Sequence, residues 1–294
     1  MGPARTGGAA PNPAPPIVQR IRVRFAKRGR LRFLSHRDVA RAFERALRRA
    51  GLPVAYSHGF SPHPRLSWVG AAPTGAASEA EYVEIGLAQP VDPDEFARRL
   101  DAALPGGLDV LAATEADDTP LAERIEASQW RIELPGVPPD TARAAVDALL
   151  ATDSLEVERV TPSGRRRIDV RAALVRAQVS GTGTGGGDVT PATSPESEGP
   201  CAIIEVVVRQ TTPAVRPDDV LSALDVVAGL RPPVPAKVTR MAQGLLDDRG
   251  RLADPLGPGR VTALAEPGGP AAAGAPVVGT TSRSATRLRT HAGA

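Results

Sequence analysis

Cysteine is almost missing from this 294-residue chain. Cys201 stands alone, which excludes an internal disulfide framework and any multi-cysteine cluster carried by this chain alone. A chain without disulfides fits a reducing compartment, so a cytoplasmic location is expected. No apolar run approaches the ~18 residues needed to span a bilayer, and the first sixteen residues lack the apolar core of a signal peptide. Aromatic residues are scarce at 3%, and eight of the nine lie between Phe25 and Phe96, with Trp130 the exception. Lysine is scarcer still: of 36 basic residues, only Lys27 and Lys237 are not arginine.

What is present in quantity is glycine (29) and proline (30), beside 41% hydrophobic and 23% charged residues. The last two values are those of a globular chain, and the first two point to unstructured segments attached to it. Residues 1–16 read as a disordered arm, 180–200 as a flexible Gly-rich insertion, and 254–294 as a disordered tail. Between them lie a domain over 17–115 and a second α+β domain over 125–250, each of common domain size.

The net charge of +3 conceals two opposed segments. From Ile17 to Arg49, twelve basic residues face two acids; from Ala71 to Ser128, thirteen acids face three arginines. The first segment opens with alternation, Ile21, Val23 and Phe25 against Arg20, Arg22 and Arg24, the period of a strand with two unlike faces. Lys27–Arg30 reads as a turn and Leu31/Phe33 as a short second strand. Ser35 then caps a helix with Asp38 in capping-box spacing. Val39, Phe43, Ala46 and Leu47 form its apolar stripe, with Arg37, Arg41, Arg45 and Arg48 on the other side. Strands near Leu66–Val69 and Glu81–Leu87, a helix opened by Asp92-Pro93-Asp94-Glu95, and a strand over Leu108–Ala112 complete the order β-α-β-β-α-β. That order is the ferredoxin-like, or split βαβ, arrangement.

The second half repeats the order: strand Trp130–Leu134, helix Asp140–Leu150, a hairpin of Leu155–Val160 and Arg167–Val179, strand Cys201–Val208, helix Pro217–Ala228, strand Lys237–Leu246. The helix openings at Val91–Phe96 and Val215–Val220 resemble each other, as a duplication would give. The expected fold class is therefore α+β, built from two ferredoxin-like units.

Candidate functional residues concentrate in the first half. In Tyr56-Ser57-His58-Gly59-Phe60-Ser61-Pro62-His63-Pro64-Arg65, two residues precede prolines and are pushed toward extended backbone, which stiffens the loop. Ser35, His36, Tyr56, Phe60, His63, Arg65, Glu81 and Tyr82 are expected to shape a pocket. Arg20, Arg22, Arg24, Arg41 and Arg45 are expected to contact phosphate, with nearby aromatics suited to base stacking. A solvated charged face is the alternative. If the chain is an enzyme, His36, Asp38 and His63 are its acid–base candidates. No HxxxH or CxxC spacing marks a zinc site, no G-x-S-x-G elbow marks a serine nucleophile, and no metal ligand set is assigned.

Phe33-Leu34-Ser35-His36-Arg37-Asp38, the Leu52–Pro64 stretch and Ser78-Glu79-Ala80-Glu81-Tyr82 resemble the bacterial radical SAM-linked (radical SAM-associated) protein family, a domain of unknown function. Arg37 stands where leucine is usual in that family, and Ser61 where asparagine is usual. The resemblance implies an accessory role beside a radical SAM protein. It places the iron–sulfur cluster and S-adenosylmethionine on that partner and no cofactor on this chain, which lacks the three-cysteine motif. Members often sit near ribosomal-protein and ribonuclease genes, which implies a tRNA, rRNA or ribosome-related substrate. A protein-docking adaptor is the remaining alternative.

Overall fold

A computed structural model describes residues 16–161, 164–180, 199–257 and 262–263. Alternation makes the first strand, β1 (Gln19–Lys27). Gly29, at φ +53°, then turns the chain away from extension. The Arg28 N–H donates to Gly107 O at 2.8 Å, and Leu31 and Leu34 N–H donate three residues back. Leu31 and Phe33 therefore lie in a 3-10 turn, Gly29–Phe33, rather than in the short strand that their alternation suggests.

Helix α1 (His36–Arg49) starts where expected, with the Asp38 N–H donating to Ser35 Oγ and the Ser35 hydroxyl donating back to the Asp38 carboxylate at 2.6 Å. Its buried stripe is Val39, Ala42, Phe43, Ala46 and Leu47. Strands β2 (Leu66–Val69) and β3 (Ala77–Leu87), helix α2 (Pro93–Ala103) and strand β4 (Val110–Glu115) follow. Strand β4 pairs β1, β1 pairs β3 and β3 pairs β2, all antiparallel. Ile21, Val23, Phe25, Val83 and Ile85 sit on the face that packs with α1 and α2.

The second half comprises β5 (Ala127–Pro135), α3 (Pro139–Leu150), β6 (Glu156–Thr161), β7 (Gly164–Asp169), α4 (Val170–Ala173), β8 (Leu174–Ser180), β9 (Cys201–Arg209), α5 (Pro217–Ala228) and β10 (Lys237–Leu246). Strands β10, β5, β9 and β8 pair antiparallel in that order, while β6 and β7 form a separate hairpin. The long strand expected over Arg167–Val179 is interrupted because the Asp169 side chain caps α4, accepting from the Ala172 N–H at 3.1 Å.

The halves share one sheet. β10 joins β3 in parallel, Thr239 opposite Ala77 and Arg240 opposite Ser78, so β3 serves β2 at one end and β10 at the other. Short strands β11 (Leu252–Ala253) and β12 (Thr262–Ala263) pair β10 and β4. The expected arm and insertion lie outside the described residues except at their margins. The expected tail, 254–294, lies outside the described residues except at 254–257 and 262–263, where Asp254 pairs with Arg24 and Leu256 is buried against Leu121 and Ile125. Among the described residues, no helix is long and apolar enough to cross a membrane.

Candidate functional site

The sheet face carrying Arg20, Arg22 and Arg24 is covered at its centre: Arg20 is exposed, Arg24 is partly buried and Arg22 is enclosed. Arg22 is 1% exposed. Its guanidinium donates to Glu84 at 3.1 Å, to the Asp117 carboxylate at 3.0 Å and to the Thr119 carbonyl. Arg24 pairs with Asp254 at 3.1 Å, and Arg20 approaches Glu84 at 3.6 Å. Just beyond β1, Arg28 bridges Glu79 and Asp109. The basic and acidic segments seen in the sequence thus neutralise each other across the β1–β3 and β1–β4 ladders. Burial withdraws Arg22 from the phosphate-contacting set expected of it, because the chain folds the 117–124 segment over that face.

The helical half of the expected basic face is different. Arg37, Arg41, Arg45, Arg48 and Arg49 are all exposed on α1. Arg41 lies 3.8 Å from Asp38, and the other four form no ion pair among the described residues. Asp38 itself is held below the usual carboxylate range, chiefly by the Ser35 hydroxyl.

The motif loop is a closed protrusion. Tyr56 bridges Pro64, the Ser57 N–H donates to His63 O at 2.8 Å, and the His63 N–H donates to Ser57 Oγ at 3.1 Å. Its tip, His58 to His63, is exposed, and Phe60 projects fully into solvent. The residues expected to shape one pocket therefore separate. Phe60, His63 and Arg65 are exposed, while Ser35 caps α1. Tyr82 faces the opposite side of the sheet, packed with Leu121 and Ile125. Burial pushes the Tyr82 phenol well above its ordinary value. Only His36 and Glu81 of the expected set meet in a common cavity. Among the described residues, no three His, Cys, Asp or Glu side chains are grouped to hold a metal.

That cavity lies between β1, the start of α1 and the segment before β3. Phe25, Lys27, His36, Trp68, Ala72 and Glu81 are among its walls. Its volume of about 10 Å³ is room for about one water. His36 is exposed and meets Trp68 edge-on, ring centroids 5.3 Å apart, and Trp68 in turn packs on Phe25 and Phe43.

Beneath His36 lies a buried polar group unnoticed in the sequence. A register shift in β1 after Phe25 places Lys27 opposite Ser78. Lys27, Ser78, Glu81 and Arg240 are each at most 5% exposed. Glu81 accepts from Arg240 and from the Ala72 N–H at 3.0 Å. Arg240 is spread over the Trp130 ring at 5.3 Å. Lys27 Nζ has only the Ala72 and Pro73 carbonyls, each at 3.4 Å, and forms no ion pair among the described residues. Burial pushes its ammonium pKa down, Glu81 opposes that, and Arg240 and Arg32 add to it. The one sequence signal for this site was a lysine in a chain that otherwise uses arginine.

A larger open groove, about 500 Å³, lies between α5, Pro232–Pro235 and β10, with Asp218 the one charged side chain on its wall. Residues 20–217 match the model of a family described as an uncharacterized protein conserved in bacteria (DUF2344). No curated protein matches the chain.

Proposed function

The chain belongs to this bacterial family, and on that footing we propose that it is a cytoplasmic accessory protein that binds RNA through the outer face of α1 and the tip of the motif loop. One observation carries this reading. Arginines of β1 are consumed by Glu84, Asp117 and Asp254, whereas those of α1 are exposed and nearly free of acids. A row of exposed guanidiniums on one helix face, of which only Arg41 has a carboxylate beside it, suits a phosphate backbone. An exposed ring such as Phe60 suits an unstacked base, which favours single-stranded RNA.

The fold fits such a module. Strand orders β4-β1-β3-β2 and β10-β5-β9-β8, each antiparallel with helices between the strands, support two ferredoxin-like units over 17–115 and 125–250. In this reading the partner is a radical SAM protein that brings the iron–sulfur cluster and S-adenosylmethionine, and the RNA is tRNA, rRNA or a ribosome-related substrate. A filter-binding titration with single-stranded RNA over a range of salt tests the RNA part. The expected result is a log–log slope near −3, about −0.7 for each of four or five phosphates contacted. Salt-independent or absent binding overturns it. Pull-down with the neighbouring radical SAM protein tests the partner.

A further inference from the structure

We propose that Lys27 is a covalent site for a small uncharged aldehyde, which it holds as an imine in the cavity under His36. Three structural observations lead there. First, the buried cation at position 27 is lysine in a chain whose only other lysine is Lys237. A lysine sheds its proton when desolvated and becomes a nucleophile, whereas arginine stays charged. Second, its amine is held loosely, by two carbonyls at 3.4 Å, so no carboxylate locks it as an ammonium. The carboxylate in the cavity, Glu81, is already engaged by Arg240 and Ala72. Third, the cavity that Lys27 lines lies just beneath the surface, since His36, another of its walls, is an exposed residue. Burial pushes the Lys27 pKa in the direction that frees the amine.

The cavity sets the class of ligand. A volume of about 10 Å³ holds about one water, which limits the ligand to a one-carbon aldehyde whose imine adds a single CH2 group. The walls Phe25 and Trp68 suit its C–H bonds. Glu81 lines the cavity and would repel an acid group, while Arg240, which Glu81 engages, and Arg32, which donates to the Gly75 carbonyl, do not line it. An uncharged aldehyde is therefore favoured over an oxo acid.

The step balances without an external oxidant or reductant. The neutral amine attacks the carbonyl carbon, forming the C–N bond and opening the C=O π bond. The two amine protons pass in turn, by way of His36 or Glu81, to the oxygen, which leaves as water when the C=N bond forms. Neutral amine plus aldehyde becomes imine plus water, with no net proton gained or lost.

Reductive trapping tests this on the intact chain. The protein is treated at neutral pH with limiting formaldehyde and cyanoborohydride, and each lysine-containing peptide is then weighed. The expected result is alkylation of Lys27 several-fold ahead of exposed Lys237, with glyoxylate much the poorer reagent at Lys27. Equal labelling, or labelling of Lys237 alone, overturns the proposal, and equal labelling of Lys27 by glyoxylate overturns the assigned class. Lys27→Arg is expected to abolish trapping at that peptide while the circular dichroism and melting transition persist. Should that variant not fold, peptide mapping of the wild-type chain still decides.

Discussion

Arg22 and Glu84 face each other across the β1–β3 ladder, and the Arg22 Nε–H donates to Glu84 Oε2 at 3.1 Å with the arginine side chain 2% exposed. The same guanidinium ties down the 117–119 segment through Asp117 and Thr119. Arg22→Ala would leave the mostly buried Glu84 with only Arg20, at 3.6 Å, and release that segment. The expected cost is about 2–3 kcal/mol, below the ~3–5 kcal/mol of a wholly buried pair because Asp117 is partly solvated. Urea unfolding reads this directly. A cost below about 0.5 kcal/mol, the range of an ordinary surface change, would mean that the ion pairs do not hold the face together.

Asp117 gives that network an acid limit. Burial opposes its ionisation, but hydrogen bonds from Arg22 and the Thr119 N–H, with Arg22 and Arg124 nearby, hold its carboxyl below the ordinary 3.8. A carboxylate whose pKa is lowered by folding stabilises the fold fully above its unfolded pKa, and that contribution disappears as pH falls through the folded value. The wild-type chain should therefore lose stability relative to Asp117→Asn as pH drops below about 4. Urea midpoints between pH 6 and pH 3 measure it. A difference that stays constant over that range would contradict the assignment.

The alternation in β1 was legible because a two-residue period identifies a strand and its faces from neighbouring residues alone. What covers the second face was not. Asp117 and Asp254 lie 95 and 230 residues from their arginines, and no local pattern links them. The cap at Ser35 and Asp38 was legible for the opposite reason, since both ends of the interaction lie within one turn. Leu31 and Phe33 misled because alternation over three residues also fits a 3-10 turn; the bond from Arg28 to Gly107, from outside the segment, decides between them. The Lys27 cavity was hidden in the same way, assembled from β1, the start of α1 and the approach to β3.

RNA binding divides cleanly between α1 and β1. Arg41→Ala with Arg45→Ala should weaken single-stranded RNA binding and flatten the salt slope by about 0.7 for each phosphate left without its arginine. Both side chains are exposed, so stability should stay within about 0.5 kcal/mol of wild type. Unchanged affinity and slope in that variant would remove α1 from the interface.

Phe60 offers a test that charge cannot mimic. Its ring is fully exposed at the tip of a loop closed by Ser57 and His63, so Phe60→Ala costs no core packing. A stacked base is worth about 1–3 kcal/mol, which predicts a loss of roughly fivefold or more in RNA affinity with the salt slope unchanged. Fluorescence anisotropy at two salt concentrations separates the two quantities. Loss of slope instead of affinity would assign the loop an electrostatic role.

Lys27 should also be visible in stability at high pH. Its ammonium pKa is pushed below the ordinary 10.5, by burial first, with Glu81 opposing and with Arg240 and Arg32 adding to the shift. For a base lowered by folding, the unfolded chain binds the extra proton, so stability rises with pH until it levels off above 10.5. Tyr82, raised by burial, acts in the other direction, because the unfolded phenol ionises first as pH climbs past about 10. Comparison with Lys27→Met cancels the tyrosine and leaves the lysine. The wild-type chain should gain on this variant as pH rises from 7 toward 10, read from urea midpoints at each pH. Met removes a desolvated charge from a site that gives it no ion pair, so the variant should be at least as stable as wild type at pH 7. A gap that does not move with pH would show that the Lys27 amine keeps its ordinary affinity for the proton, and with it no special readiness to attack a carbonyl.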